Sequence, residues 1–129
     1  MTITSGISNT SSENNNRGQN RPELEQLLEL LRVFHSIDSE FPLQYMICMI
    51  EIAREEGISL TTLAERTNLS LSTISRIVGA LSNYRQNGQP FGLVEIKISE
   101  TERRRKELAM TPKGRAILNK ALKLLNVTN

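Results

Sequence analysis

The stretch from Leu69 to Asn83, LSLSTISRIVGALSN, constrains this chain most, because it builds two unlike surfaces on one short helix. Leu71, Ile74, Ile77, Val78 and Leu81 recur at helical spacing and commit one side to a core. At about 100° per residue, Ser72, Arg76, Gly79 and Asn83 fall on the opposite side, flanked by Thr73 and Ser75. A face that is merely solvated usually carries Glu and Lys at i,i+4, since such pairs favour helix and solubility. This one carries none. Short hydroxyl and amide groups around a single Arg let a helix lie close against a groove and hydrogen-bond its edges. The competing reading is an ordinary surface helix.

The neighbours of this stretch weigh on that choice. Ser59 is placed to cap a short helix over Leu60–Arg66 with Leu63 and Ala64 facing inward, and a Thr67-Asn68 turn leads to Ser70, the cap of the next helix. Helix, tight turn and helix with an inward Leu-Ala pair is the helix-turn-helix pattern, whose second helix enters the major groove. Tyr84 to Gly92 is broken by Gly88, Pro90 and Gly92 and reads as a loop. Val94, Ile96 and Ile98 then alternate with Glu95, Lys97 and Ser99 at strand period, and Lys106 to Met110 supplies a return strand. The hairpin tip, Glu100 to Arg105, holds three successive arginines. Their mutual repulsion is relieved by phosphates or a narrow minor groove; the alternative is a solvated turn neutralised by Glu100 and Glu102.

Three more helices complete the chain. The first begins at Arg21–Pro22, with Glu23 and Glu25 complementing the positive helix end, and runs to Ile37. The second is expected from Phe41 to Glu56, capped by Asp38 or Ser39 and ended by Gly57; Tyr45 to Ile50 and Ile52 make it apolar nearly all round, as a central helix is. Thr111 and Pro112 start the last, which carries Ala116, Ile117, Leu118, Ala121, Leu122, Leu124 and Leu125. The first and last helices both bear more apolar surface than one stripe needs, which points to a homodimer, or to the two satisfying each other within one chain. The fold class is therefore mainly α with a small β-hairpin, an α+β arrangement in which a helix-turn-helix and a hairpin are flanked by N- and C-terminal helices, expected to be dimerisation helices.

At 129 residues one domain is expected, over 21–129, with a Ser-, Thr- and Asn-rich disordered tail over 1–20. No apolar run approaches the roughly 18 residues of a membrane span, and neither a signal sequence nor a membrane partner is expected. A single cysteine, Cys48, excludes an internal disulfide and suits a reducing, cytoplasmic compartment. Amid apolar neighbours it reads as core rather than as a redox sensor. His35 is the only histidine and reads as structural. With one His, one Cys and no phosphate loop, metal-ligand spacing or nucleophile elbow, no catalytic, cofactor or metal site is assigned. Charge is unevenly placed: residues 21–65 hold three basic and nine acidic side chains, residues 66–115 ten basic and four acidic. The basic half is the footprint of a polyanion partner.

From Phe41 to Leu125 the chain resembles the MarR family of winged helix-turn-helix transcription regulators. The matching features are SLTTLAERTNLSLSTISRIVGAL for the helix-turn-helix, GLVEIKI for the following strand, and ETERRRKELAMTPKGRAIL for the wing and closing helix. In that family a wing Asp-x-Arg precedes Leu-Thr-x-x-Gly by a fixed interval. Here Glu102-Arg103-Arg104 stands at that interval before Met110-Thr111-Pro112-Lys113-Gly114, so Arg104 takes the place of the minor-groove arginine and Glu102 that of the Asp. The loop Tyr84 to Gly92 is longer than the family's usual connection, and the N-terminal region holds a single helix.

The resemblance implies a homodimeric regulator, expected to be a repressor, on a near-palindromic double-stranded DNA operator. Ser70, Ser72, Thr73, Ser75, Arg76 and Asn83 of the recognition helix would meet base edges, and Arg103, Arg104, Arg105 and Lys106 of the wing would hold phosphates and the minor groove. It also allows a small-molecule effector, for which Phe34, Phe41 and Tyr45 are pocket candidates, although core packing accounts for so few aromatics as well. The alternative function is a winged-helix protein–protein interaction module without sequence-specific DNA readout. Retention on DNA or heparin at moderate salt separates the two.

Overall fold

The computed structural model describes residues 21–83, 89–101 and 105–125. The disordered tail expected over residues 1–20 lies outside them. Helix α1 (Pro22–His35) opens on Pro22, with Glu23 and Glu25 in its first turn and Arg32 and His35 in its last, so its charges oppose the helix dipole at both ends. It ends two residues before the expected Ile37, where Ile37 N–H donates to Phe34 O in a closing turn.

Helix α2 (Leu43–Arg54) is shorter than the expected Phe41–Glu56, and neither Asp38 nor Ser39 caps it. Asp38 instead makes a turn of its own, its Oδ1 accepting from Glu40 N–H at 2.8 Å and its carbonyl from Phe41 N–H. Pro42 takes the cap position, where a missing N–H costs nothing. Nor is α2 buried all round. Cys48, Met49 and Ile52 are fully enclosed, whereas Leu43 is 67% exposed and Ile47 and Ile50 are 42% exposed. Periodicity cannot distinguish an enclosed helix from one whose second apolar side lacks a neighbour, as here among the described residues. Cys48 is core, and burial together with the Glu51 charge pushes its thiol up to about 11, well away from thiolate chemistry.

Strand β1 (Ile58–Ser59) has no counterpart in the sequence reading, being too short to show alternation. It follows Gly57, whose φ of +100° suits glycine and whose N–H donates to Leu108 O at 2.7 Å. Helices α3 (Leu60–Thr67) and α4 (Leu71–Leu81) form the helix-turn-helix, and strands β2 (Val94–Ile98) and β3 (Lys106–Met110) the hairpin. The sheet order is β1-β3-β2, antiparallel throughout, with Leu108 opposite both Ile58 and Ile96. Helix α5 (Pro112–Lys123) closes the fold; Thr111 caps it as expected, accepting from Gly114 N–H.

One core joins these parts. Met49 and Ile52 of α2, Leu63 of α3, Ile74, Val78 and Leu81 of α4, and Leu93, Val94, Leu108 and Met110 of the sheet region are all nearly or fully excluded from solvent. Phe34, Phe41, Tyr45 and Phe91 make an aromatic cluster in which Phe41 packs against Phe91 at a centroid distance of 5.1 Å, edge to face. These rings pack between α1, α2 and the segment leading into the wing, and Phe34 and Phe41, two of the effector-pocket candidates, also line an open cavity with Leu28, Leu31 and Met46.

Candidate nucleic-acid interface

The candidate interface is built from the turn between α3 and α4 outward. Thr67 Oγ1 bonds back to Leu63 O at 2.8 Å, and Asn68 ends α3 in the left-handed conformation, with φ +61° and ψ +33°. Asn tolerates that region better than other side-chain-bearing residues, so the chain reverses here without glycine. Ser59 caps α3 by accepting from Thr62 N–H at 3.1 Å, and Ser70 caps α4 by accepting from Thr73 N–H at 3.1 Å. Both caps stand where the sequence predicts them. Arg66 ties α3 back to α2 through Glu55 and, at 3.9 Å, Glu51.

Five of the six recognition-helix candidates gather on the N-terminal half of α4. Ser70 Oγ also donates to Thr73 Oγ1 at 2.9 Å and lies 3.3 Å from Ser72 Oγ, so three hydroxyls are locked together over the first turn. Ser72, Ser75 and Arg76 are exposed, and Arg76 makes no ion pair among the described residues. The first turn contains no acidic residue, though one would favour the helix end. That omission suits a face that meets phosphates.

Asn83 does not belong to this face. Helix α4 ends at Leu81, Ser82 departs from helical geometry with ψ −107°, and Asn83 follows in a turn. The departure comes from pairing: Phe91, Gly92 and Leu93 donate their N–H groups to Ala80, Ser82 and Leu81 carbonyls at 3.0, 2.8 and 2.7 Å. The far end of the Tyr84–Gly92 loop is thereby strapped to the end of α4; residues 84–88 lie outside the described part. Leu71 also differs from expectation. Placed on the core stripe by spacing, it is 51% exposed, because at the first helical position it lies beyond the edge of the core.

The wing is partly described. Arg103 and Arg104, with Glu102, fall outside the described residues. Arg105 and Lys106 are exposed where β3 begins, and Ser99 N–H donates to Arg105 O, extending the hairpin past Ile98. Arg105 lies 3.6 Å from the Glu107 carboxylate.

A brace missed in the sequence fixes the wing's base. Glu56 Oε1 accepts from Met110 N–H at 3.0 Å and from Arg115 Nη2 at 2.9 Å, joining the end of α2 to β3 and α5. No pattern announces a contact between residues this far apart. The Arg115 bond, then the Met110 amide, hold the Glu56 carboxyl below its ordinary value. A carboxylate lowered in this way adds stability above its unfolded pKa, near 4.5, and loses it as pH falls through the folded value. Glu56→Gln should cost about 0.5–1 kcal/mol at neutral pH, the range of a partly exposed ion pair. Chemical denaturation from pH 7 to 3 should show a flatter acid limb for the variant than for the parent.

Comparison with known proteins follows the same lines. A family model for winged helix-turn-helix DNA-binding domains matches residues 47–83, from within α2 through α4. No curated protein matches significantly. Among solved structures the chain is similar to MarR, at 24% identity and TM-score 0.54 over 81% of this chain and 75% of that one. It is similar to Streptococcus pneumoniae FabT, crystallised in complex with DNA, at 19% identity and TM-score 0.59 over 88% and 76%. The PcaV transcriptional regulator from Streptomyces coelicolor matches at 18% identity and TM-score 0.56 over 81% and 74%. The fold is the winged helix-turn-helix of the MarR type. No helix among the described residues is long and apolar enough to cross a membrane.

Proposed function

We propose, from that fold as premise, that the chain is a sequence-specific double-stranded DNA-binding transcriptional regulator, a repressor that acts in the cytoplasm as a homodimer on a near-palindromic operator. The observation that carries this reading is the N-terminal half of α4: a hydroxyl cluster locked by the Ser70 cap beside an exposed Arg76 without an ion-pair partner among the described residues. Such a surface is small enough to enter a major groove and carries the donors that base edges accept. Arg103, Arg104, Arg105 and Lys106 would supply phosphate and minor-groove contacts from the wing.

Pairing of two chains is supported by leucines that the fold leaves outside. Leu24 and Leu27 are each 53% exposed, with Leu28 and Leu31 beside them on α1, and Leu122 in the last turn of α5 and Leu125 just beyond it are exposed as well. Gln26 Nε2 donates to Leu124 O at 2.9 Å, holding the two terminal segments side by side. A two-fold protein implies half-sites about one helical turn apart.

Selection of bound sequences from a random duplex pool, with the mass in solution measured alongside, tests the reading. Enrichment of an inverted repeat by a species of twice the chain mass is expected. Lys106→Ala or Arg104→Ala should weaken all sequences alike and reduce the slope of log K against log salt by about 0.9. A chain that passes through DNA and heparin columns at moderate salt is instead a protein–protein module.

A further inference from the structure

Leu71 stands apart from the rest of the α4 surface. It is a large apolar side chain, 51% exposed, at the first helical position of a face otherwise made of Ser70, Ser72, Ser75 and Arg76. A single exposed leucine is ordinary on a protein surface. At this position neither packing nor helix capping accounts for it. It contributes little to the core, which Ile74, Ile77, Val78 and Leu81 fill from α4. It does not help the helix end, where an acidic or hydroxyl residue is favoured. On one side it borders a shallow groove walled by Thr61, Ala64 and Glu65 of α3, where the carboxylate repels phosphate. Ser75, one turn along α4, is its exposed neighbour on the helix surface, which places Leu71 at the border of that face.

Residues at the start of a recognition helix are those that reach base edges, and the sole apolar feature on a major-groove edge is the thymine C5-methyl. We propose that Leu71 reads a thymine methyl in each half-site. The inference rests on the DNA-binding reading above and deepens it by naming a base. Leu71 and Arg76 are separated by five residues of helix, about 7.5 Å of rise. The thymine therefore lies within about two to three base-pair steps of the base that Arg76 contacts, given a stacking distance of about 3.4 Å.

The test replaces thymine by deoxyuridine, which removes the methyl and keeps every hydrogen-bonding group. Each thymine of one selected half-site is exchanged in turn, and binding is measured for the parent, Leu71→Ala and Leu71→Met. At one thymine the parent should lose about fourfold in affinity, the worth of one methyl taken from water. Leu71→Ala should bind the thymine duplex more weakly and be indifferent to the exchange, while Leu71→Met should keep the parent's sensitivity. Equal sensitivity in parent and Leu71→Ala at every position overturns the assignment to Leu71 and leaves DNA binding intact. Failure to enrich any sequence overturns both. Coincident thermal melts of the three proteins, expected for an exposed position, tie any difference to the interface.

Discussion

Gly114→Ala should lower the stability of the fold by about 1–3 kcal/mol, the cost of forcing extra volume into a packed site. An alanine Cβ at this position would lie 2.1 Å from Leu93 O and 2.8 Å from Met110 Cε. The methionine end can swing aside, but the carbonyl cannot. Leu93 is fully buried, its N–H is bound to Leu81 O, and its carbonyl already accepts from Thr111 N–H at 3.1 Å. Relief therefore means separating α5 from the entry to β2. The sign is informative, since in an unencumbered helix the same substitution stabilises by about 0.8–1 kcal/mol. Urea denaturation of the two proteins decides the matter. A more stable variant would mean that α5 does not approach Leu93 this closely in solution.

On the proposed reading, Arg76→Ala should relax sequence preference at one base position in each half-site, at a cost of about 1–3 kcal/mol against the preferred base. A guanidinium on this face can pair with both acceptors of a guanine edge, and no carboxylate among the described residues competes for it. Repeating the random-pool selection with the variant should lose information at that position and keep it elsewhere. A uniform drop across all sequences would instead make Arg76 a phosphate contact, and the base reading would fall to Leu71 and the hydroxyls of α4.

Local chemistry is the legible part of this chain. Ser59, Ser70 and Thr111 each cap the helix that follows, as the spacing of hydroxyl and apolar residues predicts, and the strands pair where Val94, Ile96 and Ile98 alternate. Those signals lie within a few residues of one another. What escapes the sequence depends on distance. The Glu56 brace, the joining of Ile58 to Leu108 and the tie from Phe91 to Ala80 are contacts between segments that carry no mutual mark. The tie has the further effect of ending α4 early, which removes Asn83 from the face that helical projection gives it. The second helix departs from expectation for a related reason: apolar residues around its circumference report a demand for partners, and Leu43, Ile47 and Ile50 stay largely uncovered among the described residues. Leu71 leaves its stripe because periodicity has no term for where a helix leaves the core.

The strap that binds Phe91, Gly92 and Leu93 to the last turn of α4 has a mechanical consequence. It couples the end of α4 directly to the entry of β2, so in the proposed dimer each half would grip its duplex as a jaw stiffened at this point. Play would then enter chiefly between the two jaws. Each base pair inserted between half-sites turns the second site by about 34° around the duplex axis, as follows from roughly 10.5 base pairs per turn. A jointed reader absorbs part of that rotation, whereas this one would pass it on to the proposed contact between subunits, which would then gauge operator spacing.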